Sequence, residues 1–233
     1  MEHKRLTLFA GHYGSGKTNI AVNYALLLAE EGKKVCIADL DIVNPYFRTK
    51  DSAAALEAAG VELISPQFAN TNVDLPALPA EAYRLVQDRS SFAIMDIGGD
   101  DRGAYALGRY VPAILEENNY RMVFVANCYR PLTRTPEEAI EVMAEIEAAC
   151  GLRFTDIVNN SNLAAETTPE TVLASLPYME RLSELSGLPI FATTAERTVA
   201  EKLETLPNVI PLRLQEKYFD LPTQKPGNRP LWG

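Results

Sequence analysis

A glycine-rich stretch near the start of the chain has the composition of a phosphate-binding loop. It reads Gly11-His12-Tyr13-Gly14-Ser15-Gly16-Lys17-Thr18 and follows the pattern Gly-x-x-x-x-Gly-Lys-Thr. Glycines let the backbone curl so that successive amide groups point at phosphate oxygens, and the helix that follows adds its partial positive charge. We predict that all of these residues contact a nucleotide. Lys17 is expected to bind the β and γ phosphates as a catalytic residue, and Thr18 to be a direct Mg²⁺ ligand.

The residues on either side of this loop supply the context that the motif requires. Residues 6–10 form a short apolar run typical of a β-strand, and residues 17–31 have the apolar period of a helix. A chance glycine-rich turn would lack these flanking elements. The strand, loop and helix together therefore favour a phosphate site over a simple turn.

Carboxylates that could complete a metal site follow two other predicted strands. One apolar run ends at Asp39 and Asp41, and another ends at Asp96, just before a pair of glycines. The carboxyl ends of neighbouring parallel strands meet at one edge of a sheet. Asp96 is therefore predicted to reach Mg²⁺ through a water molecule, the alternative being a turn residue at the strand end. For Asp100 and Asp101, a solvated loop position and a functional role are equally good interpretations.

The apolar pattern along the chain predicts the elements that hold these residues. Short β-rich runs alternate with longer segments of helical period, which is typical of βαβ units and a mainly parallel sheet. Strands are predicted at 6–10, 34–39, 61–64, 92–96, 122–126, 156–159, 189–193 and 209–212. Helices are predicted at 17–31, 53–59, 80–88, 104–116, 136–150, 169–186 and 195–203. The expected fold is a three-layer, Rossmann-like α/β fold with seven or eight strands and helices on both faces.

One domain accounts for most of the chain. A length of 233 residues fits a single large α/β unit, and residues 1–220 are assigned to a nucleotide-binding domain. Residues 221–233 contain prolines and a glycine that forbid a continuous helix, so an extended C-terminal tail is predicted. Trp232 in this tail packs on the domain or contacts a partner, and both alternatives stay open.

Composition and charge argue against several classes of function. The formal net charge of −9 disfavours broad binding to nucleic acid. No stretch reaches the roughly 20 apolar residues needed to span a bilayer. The first residues do not resemble a signal peptide, so a cytoplasmic location without membrane attachment is expected. The cysteines, Cys36, Cys128 and Cys150, lack the spacing of a metal clip, so neither a disulfide nor a structural metal is assigned.

Taken together, these motifs resemble one group of nucleotide-binding proteins. The glycine-rich loop, the run Asp39-Leu40-Asp41 and the run Asp96-Ile97-Gly98-Gly99 are similar to those of the MinD/ParA/CooC/nitrogenase-iron-protein group. These proteins carry the CobQ/CobB/MinD/ParA nucleotide-binding domain and belong to the SIMIBI class of P-loop NTPases. In that group the loop is the Walker A motif, and Asp96 stands where the Walker B aspartate is expected.

The resemblance implies roles for the residues after the second strand. Asp39 is expected to lie near Mg²⁺, and Asp41 is expected to be catalytic by positioning the attacking water. Residues 44–48 are expected to form a switch segment that senses the γ-phosphate. The alternative for this segment is a turn that begins at Asn44-Pro45.

The loop departs from the family at two positions. Many members carry a second, signature lysine directly after the first glycine, and this lysine reaches the partner's nucleotide in an ATP-bound dimer. Here the position is His12, which is shorter and about neutral at pH 7. Tyr13 replaces a usual glycine and adds bulk where a partner subunit would approach. A homodimer is thus an open alternative, beside a monomer or another assembly.

The resemblance also bears on which base is bound. Guanine-specific relatives use an Asn-Lys-x-Asp loop, and the corresponding stretch here, Asn159-Asn160-Ser161-Asn162, has no aspartate at the required place. In ATP-binding relatives an asparagine at this strand end contacts adenine, so Asn159 or Asn160 is expected to do so and ATP is preferred over GTP. The alternative is a polar turn that ends the strand.

The family suggests three functions for the nucleotide. The leading hypothesis is a slow, Mg²⁺-dependent ATPase that acts as a switch on an unidentified protein partner. The second is ATP-dependent phosphoryl or ligase-type transfer to a small acceptor, with Tyr46, Arg48 and Arg102 as candidates to line its pocket. The third is an adaptor that binds nucleotide without hydrolysing it.

Overall fold

The computed structural model of the chain describes residues 2–40, 52–64, 83–98 and 101–214, with side chains described from residue 104 in the last range. The strands of this part are β1 (Leu6–Ala10), β2 (Val35–Leu40), β3 (Glu62–Ile64), β4 (Phe92–Ile97), β5 (Tyr120–Ala126), β6 (Asp156–Asn159), β7 (Ile190–Glu196) and β8 (Val209–Leu212). They form one sheet of eight strands in the order β3-β2-β4-β1-β5-β6-β7-β8. All neighbouring strands are parallel. The predicted strands and the predicted parallel α/β fold are confirmed.

Helices connect the strands. They are α1 (Lys17–Glu30), α2 (Ala53–Ala58), α3 (Arg84–Gln87), α4 (Asp101–Gly108), α5 (Val111–Glu117), α6 (Pro136–Cys150), α7 (Pro169–Ala174), α8 (Leu176–Ser186) and α9 (Arg197–Ala200), with a short 3₁₀ turn at Ala164–Glu166. None of these helices is both long and apolar enough to cross a membrane.

Two helices that were predicted to be continuous are broken. The predicted helix 104–116 is divided between α4 and α5, because Pro112 lies in the first turn of α5 and cannot continue the hydrogen bonds of a preceding helix. The predicted helix 169–186 is divided at Ser175, whose hydroxyl donates to the Val172 carbonyl at 2.6 Å. Pro177 then lies in the first turn of α8, where its missing N–H is harmless.

The last predicted helix, 195–203, is also shorter than expected. Ala195 and Glu196 still belong to β7, and the α-helical residues are those of α9 alone. Residues 195 and 196 pair with β8 across the sheet, so tertiary pairing overrides a local preference for helix. The predicted tail at 221–233, with Trp232, lies outside the described residues.

Apolar clusters cover both faces of the sheet, because successive side chains of a strand point to opposite sides. On one face, Leu8 of β1 packs in a cluster with Met143 of α6 and Leu182 of α8. On the other face, Phe9 packs in a cluster with Ile20 of α1. The helices therefore lie on both sides of the sheet. The side that α1 covers is called the α1 face, and the loop that precedes α1 is found there.

Candidate functional site

The predicted phosphate loop connects β1 to α1. At two of its glycines, neighbouring atoms leave no room for a side chain. A Cβ atom on Gly11 would lie 2.7 Å from the carbonyl oxygen of Val125 in β5. A Cβ atom on Gly16 would lie 2.3 Å from Nδ2 of Asn160, and Gly16 has a φ of +92° that side chains disfavour. The backbone of the loop is thus pressed against the ends of β5 and β6.

Lys17 is buried at the first position of α1. Its ammonium group donates a hydrogen bond to the carbonyl oxygen of His12 at 3.3 Å, so the side chain folds back along the loop. Thr18 follows it in the first turn and is half-buried. Because Gly16 precedes the helix and has no side chain, the helix start carries no side-chain cap. Its positive end is therefore directed at the loop, as an anion site requires.

Asp39 and Asp96 are brought together by the order of the strands. β4 lies between β2 and β1, and the two aspartates are register partners on β2 and β4. Adjacent strands are about 4.8 Å apart. Both side chains are buried. Because side chains two residues apart on a strand share a face, the aspartates lie on the same face as Ile37 and Ile94, which is the α1 face.

This donor set fits Mg²⁺. Two carboxylates this close repel each other when both are ionised, and a divalent cation beside them would offset that repulsion. Within the described ranges no group of three or more His, Cys, Asp or Glu side chains could hold a metal. Mg²⁺ is usually bound by one or two carboxylates together with substrate phosphates and water. Asp39, Asp96 and the Thr18 hydroxyl are the residues that would hold the ion.

Several predicted site residues cannot be placed. Asp41, the switch segment at 44–48 and Asp100 lie outside the described residues, as does the side chain of Asp101. Their roles stay predictions.

The side chains of Asn159 and Asn160 point to opposite sides of the sheet. Asn159 is fully buried away from the loop: its Nδ2 donates to the Ser175 hydroxyl at 2.8 Å, and its Oδ1 accepts from the Ser161 amide at 3.1 Å. Asn160 instead donates from Nδ2 to the Ser15 carbonyl at 2.6 Å. Of the two, only Asn160 contacts the phosphate loop, and an adenine contact by either stays a prediction.

The two unusual loop residues differ in exposure. His12 is half-buried, and its Nδ1 lies 3.0 Å from the carbonyl oxygen of Tyr13. Tyr13 itself is 59% exposed, which places an aromatic ring on the surface of the loop.

Two residues near the loop were missed by the sequence reasoning. Thr194 of β7 donates from its hydroxyl to Oδ1 of Asn160 at 2.7 Å and so orients that amide. Arg130, in the segment after β5, has its Nε 4.0 Å from the position that a Cβ on Gly14 would occupy. For Arg130 the sequence held a signal, because the segment after a strand that pairs with β1 must lie near the loop that follows β1. Thr194 lies on β7, two strands further from β1, and had no such signal.

The sequence of the chain is similar to those of known proteins. Residues 6–189 match the family model described as CbiA, the CobQ/CobB/MinD/ParA nucleotide binding domain. The cytosolic Fe-S cluster assembly factor cfd1 of Emericella nidulans is 29% identical over 96 residues, which is 41% of this chain and 27% of that protein.

Similar solved structures support the fold. The cell division protein FtsY from Thermotoga maritima has a TM-score of 0.56 at 18% identity and covers 83% of this chain, which in turn covers 62% of that one. FtsY from Mycoplasma mycoides has a TM-score of 0.56 at 17% identity and covers 82% of this chain, with 60% of its own length matched. The chain thus spans less than two thirds of these relatives. Since the family match extends over most of the chain, the protein belongs to the CobQ/CobB/MinD/ParA nucleotide-binding domain family of P-loop NTPases.

Proposed function

We propose that this protein binds ATP with Mg²⁺ and acts as a slow ATPase whose nucleotide state is sensed by a protein partner. The observation that carries the proposal is the pairing of Asp39 with Asp96 on the α1 face, beside the loop that holds Lys17. A nucleotide-binding family member with only a structural loop would not need two buried carboxylates there, because burying charge costs free energy. Residues 1–220 would act as one domain, and a cytoplasmic location stays a prediction.

Each part of the site has a chemical task in this proposal. The loop amides and Lys17 bind the phosphates, while Thr18, Asp39 and Asp96 hold Mg²⁺. When bound, the ion neutralises charge on the phosphates. Asn160 is favoured over Asn159 as the residue near adenine, since it lies on the loop side.

The strands that carry the aspartates lead directly into the proposed switch segments. β2 ends at Leu40, just before Asp41 and residues 44–48, and β4 ends at Ile97, just before residues 98–103. Contacts to the γ-phosphate would order both segments, and loss of that phosphate would release them. Asp41 is proposed to position the attacking water.

Binding is tested by titrating the protein with MgATP in a calorimeter. Lys17→Ala should weaken binding at least about tenfold, because hydrogen bonds to charged groups contribute about 1.5–3 kcal/mol. The control is Lys202→Ala, which removes an exposed lysine of similar charge far along the chain and should leave the affinity unchanged. The proposal fails if the wild-type protein gives no heat with millimolar MgATP, or if Lys17→Ala binds as tightly as wild type.

Hydrolysis and switching need a separate experiment. Asp41→Ala should keep MgATP binding but lose phosphate release, as expected for a residue that orients water. Hydrogen exchange should be slower over residues 41–48 and 98–103 with a non-hydrolysable ATP analogue than with ADP. Equal exchange in both segments with the two nucleotides would refute the switch, while leaving nucleotide binding intact.

A further inference from the structure

Arg130 lies directly beside the phosphate loop. Its Nε is 4.0 Å from the position that a Cβ on Gly14 would occupy, and it is the only heavy atom of the described residues within that distance, chain neighbours of the glycine aside. Gly14 is exposed, with a φ of +75°, so the loop is open on this side. Among the described residues, and leaving aside the two chain neighbours of Gly14, the Arg130 side chain is thus the nearest one to Gly14.

The guanidinium has a donor that the protein leaves unused. Nε of Arg130 is buried and has no hydrogen-bond acceptor in the parts of the chain that the structure describes. Within those same parts, no carboxylate lies within ion-pair distance of Arg130. A buried N–H without an acceptor costs free energy, and an anionic oxygen at the loop would offset that cost.

The turn that carries Arg130 is fixed by hydrogen bonds before any ligand arrives. Asn127 is fully buried, and its Oδ1 accepts from the Tyr129 amide at 3.0 Å. The Asn127 carbonyl oxygen accepts from the Arg130 amide at 3.2 Å and from the Thr133 hydroxyl at 2.9 Å. The Cys128 amide donates to the Ser161 hydroxyl at 3.2 Å, which ties the turn to the segment after β6. A side chain that is carried by a fixed backbone turn loses less entropy on binding than one on a mobile segment.

The loop itself is short of fixed positive charge. Lys17 provides one ammonium group, whereas His12 occupies the position at which many family members have a second lysine. Asp39 and Asp96 add negative charge on the same face of the sheet. An arginine held beside the loop would supply a second cation, and its planar fork suits phosphate oxygens.

We propose that Arg130 binds the phosphate chain of the nucleotide in the loop, as a second cation supplied by the same polypeptide. This inference rests on the proposed binding of ATP. It adds a contact from the segment after β5, on the open side of Gly14, to those made by Lys17 and the loop amides. The site would then complete its positive charge without a lysine from a partner subunit.

The test compares Arg130→Ala, Arg130→Gln and Arg130→Lys with the control Arg134→Ala. Arg134 is an exposed arginine four residues further along the chain. MgATP affinity should fall about ten- to a hundredfold in Arg130→Ala and Arg130→Gln, because a charge-assisted hydrogen bond is lost, and less in Arg130→Lys. Arg134→Ala should bind within about twofold of wild type, since exposed charges contribute little.

A second readout separates phosphate binding from a structural role. The affinity of Arg130→Gln should depend less steeply on salt than that of wild type, because one contact between fixed charges has been removed. The melting temperature of Arg130→Gln without nucleotide should be close to that of wild type. This variant retains most of the side-chain volume, so it serves as the test if Arg130→Ala folds poorly.

The outcomes distinguish this inference from the proposed function. If Arg130→Gln binds MgATP as tightly as wild type while Lys17→Ala does not, the role of Arg130 is refuted and nucleotide binding stands. If wild type itself binds no nucleotide, both are refuted. A loss of affinity in Arg130→Gln with an unchanged salt dependence would also refute the phosphate contact.

Discussion

Gly16 shows how a single residue shapes the phosphate loop. Its φ of +92° and the Asn160 amide 2.3 Å from its missing Cβ make it the most constrained glycine of the loop. We expect Gly16→Ala to lower the free energy of unfolding by about 2–4 kcal/mol, from backbone strain together with displacement of the amide from the Ser15 carbonyl. Urea denaturation measures this loss, and calorimetry should show weaker MgATP binding.

The matched control is Gly60→Ala. Gly60 also has a positive φ, +73°, but a Cβ there would meet no atom of the described residues within 4 Å. Backbone strain alone should then lower the free energy of unfolding, by about 1–3 kcal/mol. Equal losses in the two variants would mean that the contact between Gly16 and Asn160 does not restrict the loop.

The cysteines differ in their expected reactivity. Burial raises the pKa of the Cys36 thiol and of the Cys150 thiol, whereas Cys128 is only half-buried. The thiolate is the reactive form, and a raised pKa keeps it scarce as the pH rises towards 8. In the folded protein at pH 8, Ellman's reagent should therefore modify Cys128 first and the other two only on unfolding.

Cys128→Ser tests whether Cys128 is the cysteine that reacts first. The variant should lose the fast phase of the reaction and keep the slow phase that accompanies unfolding. A fast phase that survives in Cys128→Ser would show that Cys36 or Cys150 is accessible, contrary to their burial.

Among the secondary-structure elements, β1, α3 and α5 are joined at the amino-terminal edge of the sheet by one arginine. Arg5, just before β1, forms a bidentate ion pair with Glu117 at the end of α5. It also donates to the carbonyl oxygens of Leu85, Asp88 and Ser91 at 3.0, 3.1 and 3.2 Å. Both side chains of the ion pair are only 7% exposed, so these partners offset the cost of burying the charged guanidinium.

Removing one partner of this ion pair should be costly. Glu117→Ala leaves the Arg5 guanidinium buried without its carboxylate, and we expect a loss of about 3–5 kcal/mol in the free energy of unfolding. Glu62→Ala provides the comparison, because its partner Arg84 is 55% exposed, and exposed pairs contribute about 0–1 kcal/mol. Guanidinium denaturation of both variants measures the difference. Similar small losses would show that Arg5 is satisfied without Glu117.

For the protein as a whole, we expect nucleotide binding without formation of a nucleotide-sandwich dimer. His12 lacks the fixed charge of the signature lysine, and the exposed Tyr13 adds bulk on the loop surface. The mass in solution should therefore stay near 25.7 kDa with a non-hydrolysable ATP analogue and Mg²⁺, as with ADP. Light scattering coupled to size exclusion measures it, and a doubled mass with the ATP analogue alone would contradict the expectation.

Local chemistry in the sequence was sufficient to predict most elements. The capping box is one example: Thr135 and Glu138 exchange hydrogen bonds at the start of α6, where the sequence Thr-Pro-Glu-Glu predicts a helix start. The phosphate loop is another, because its glycines, Lys17 and Thr18 are consecutive. The breaks at Pro112 and Pro177 were missed, since a proline in the first turn of one helix looks in sequence like an interruption within a longer one.

The tertiary structure decided what the site residues contact. The pairing of Asp39 with Asp96 depends on β4 inserting between β2 and β1, which follows from packing between segments far apart in the chain. The opposite directions of Asn159 and Asn160, and the approach of Arg130 to Gly14, depend likewise on strand register and on a folded turn. The sequence alone determined the motif and the period of each element, because these arise from neighbouring residues. Non-local contacts arise only when the sheet is assembled, and the register of that sheet then sets which side chains meet.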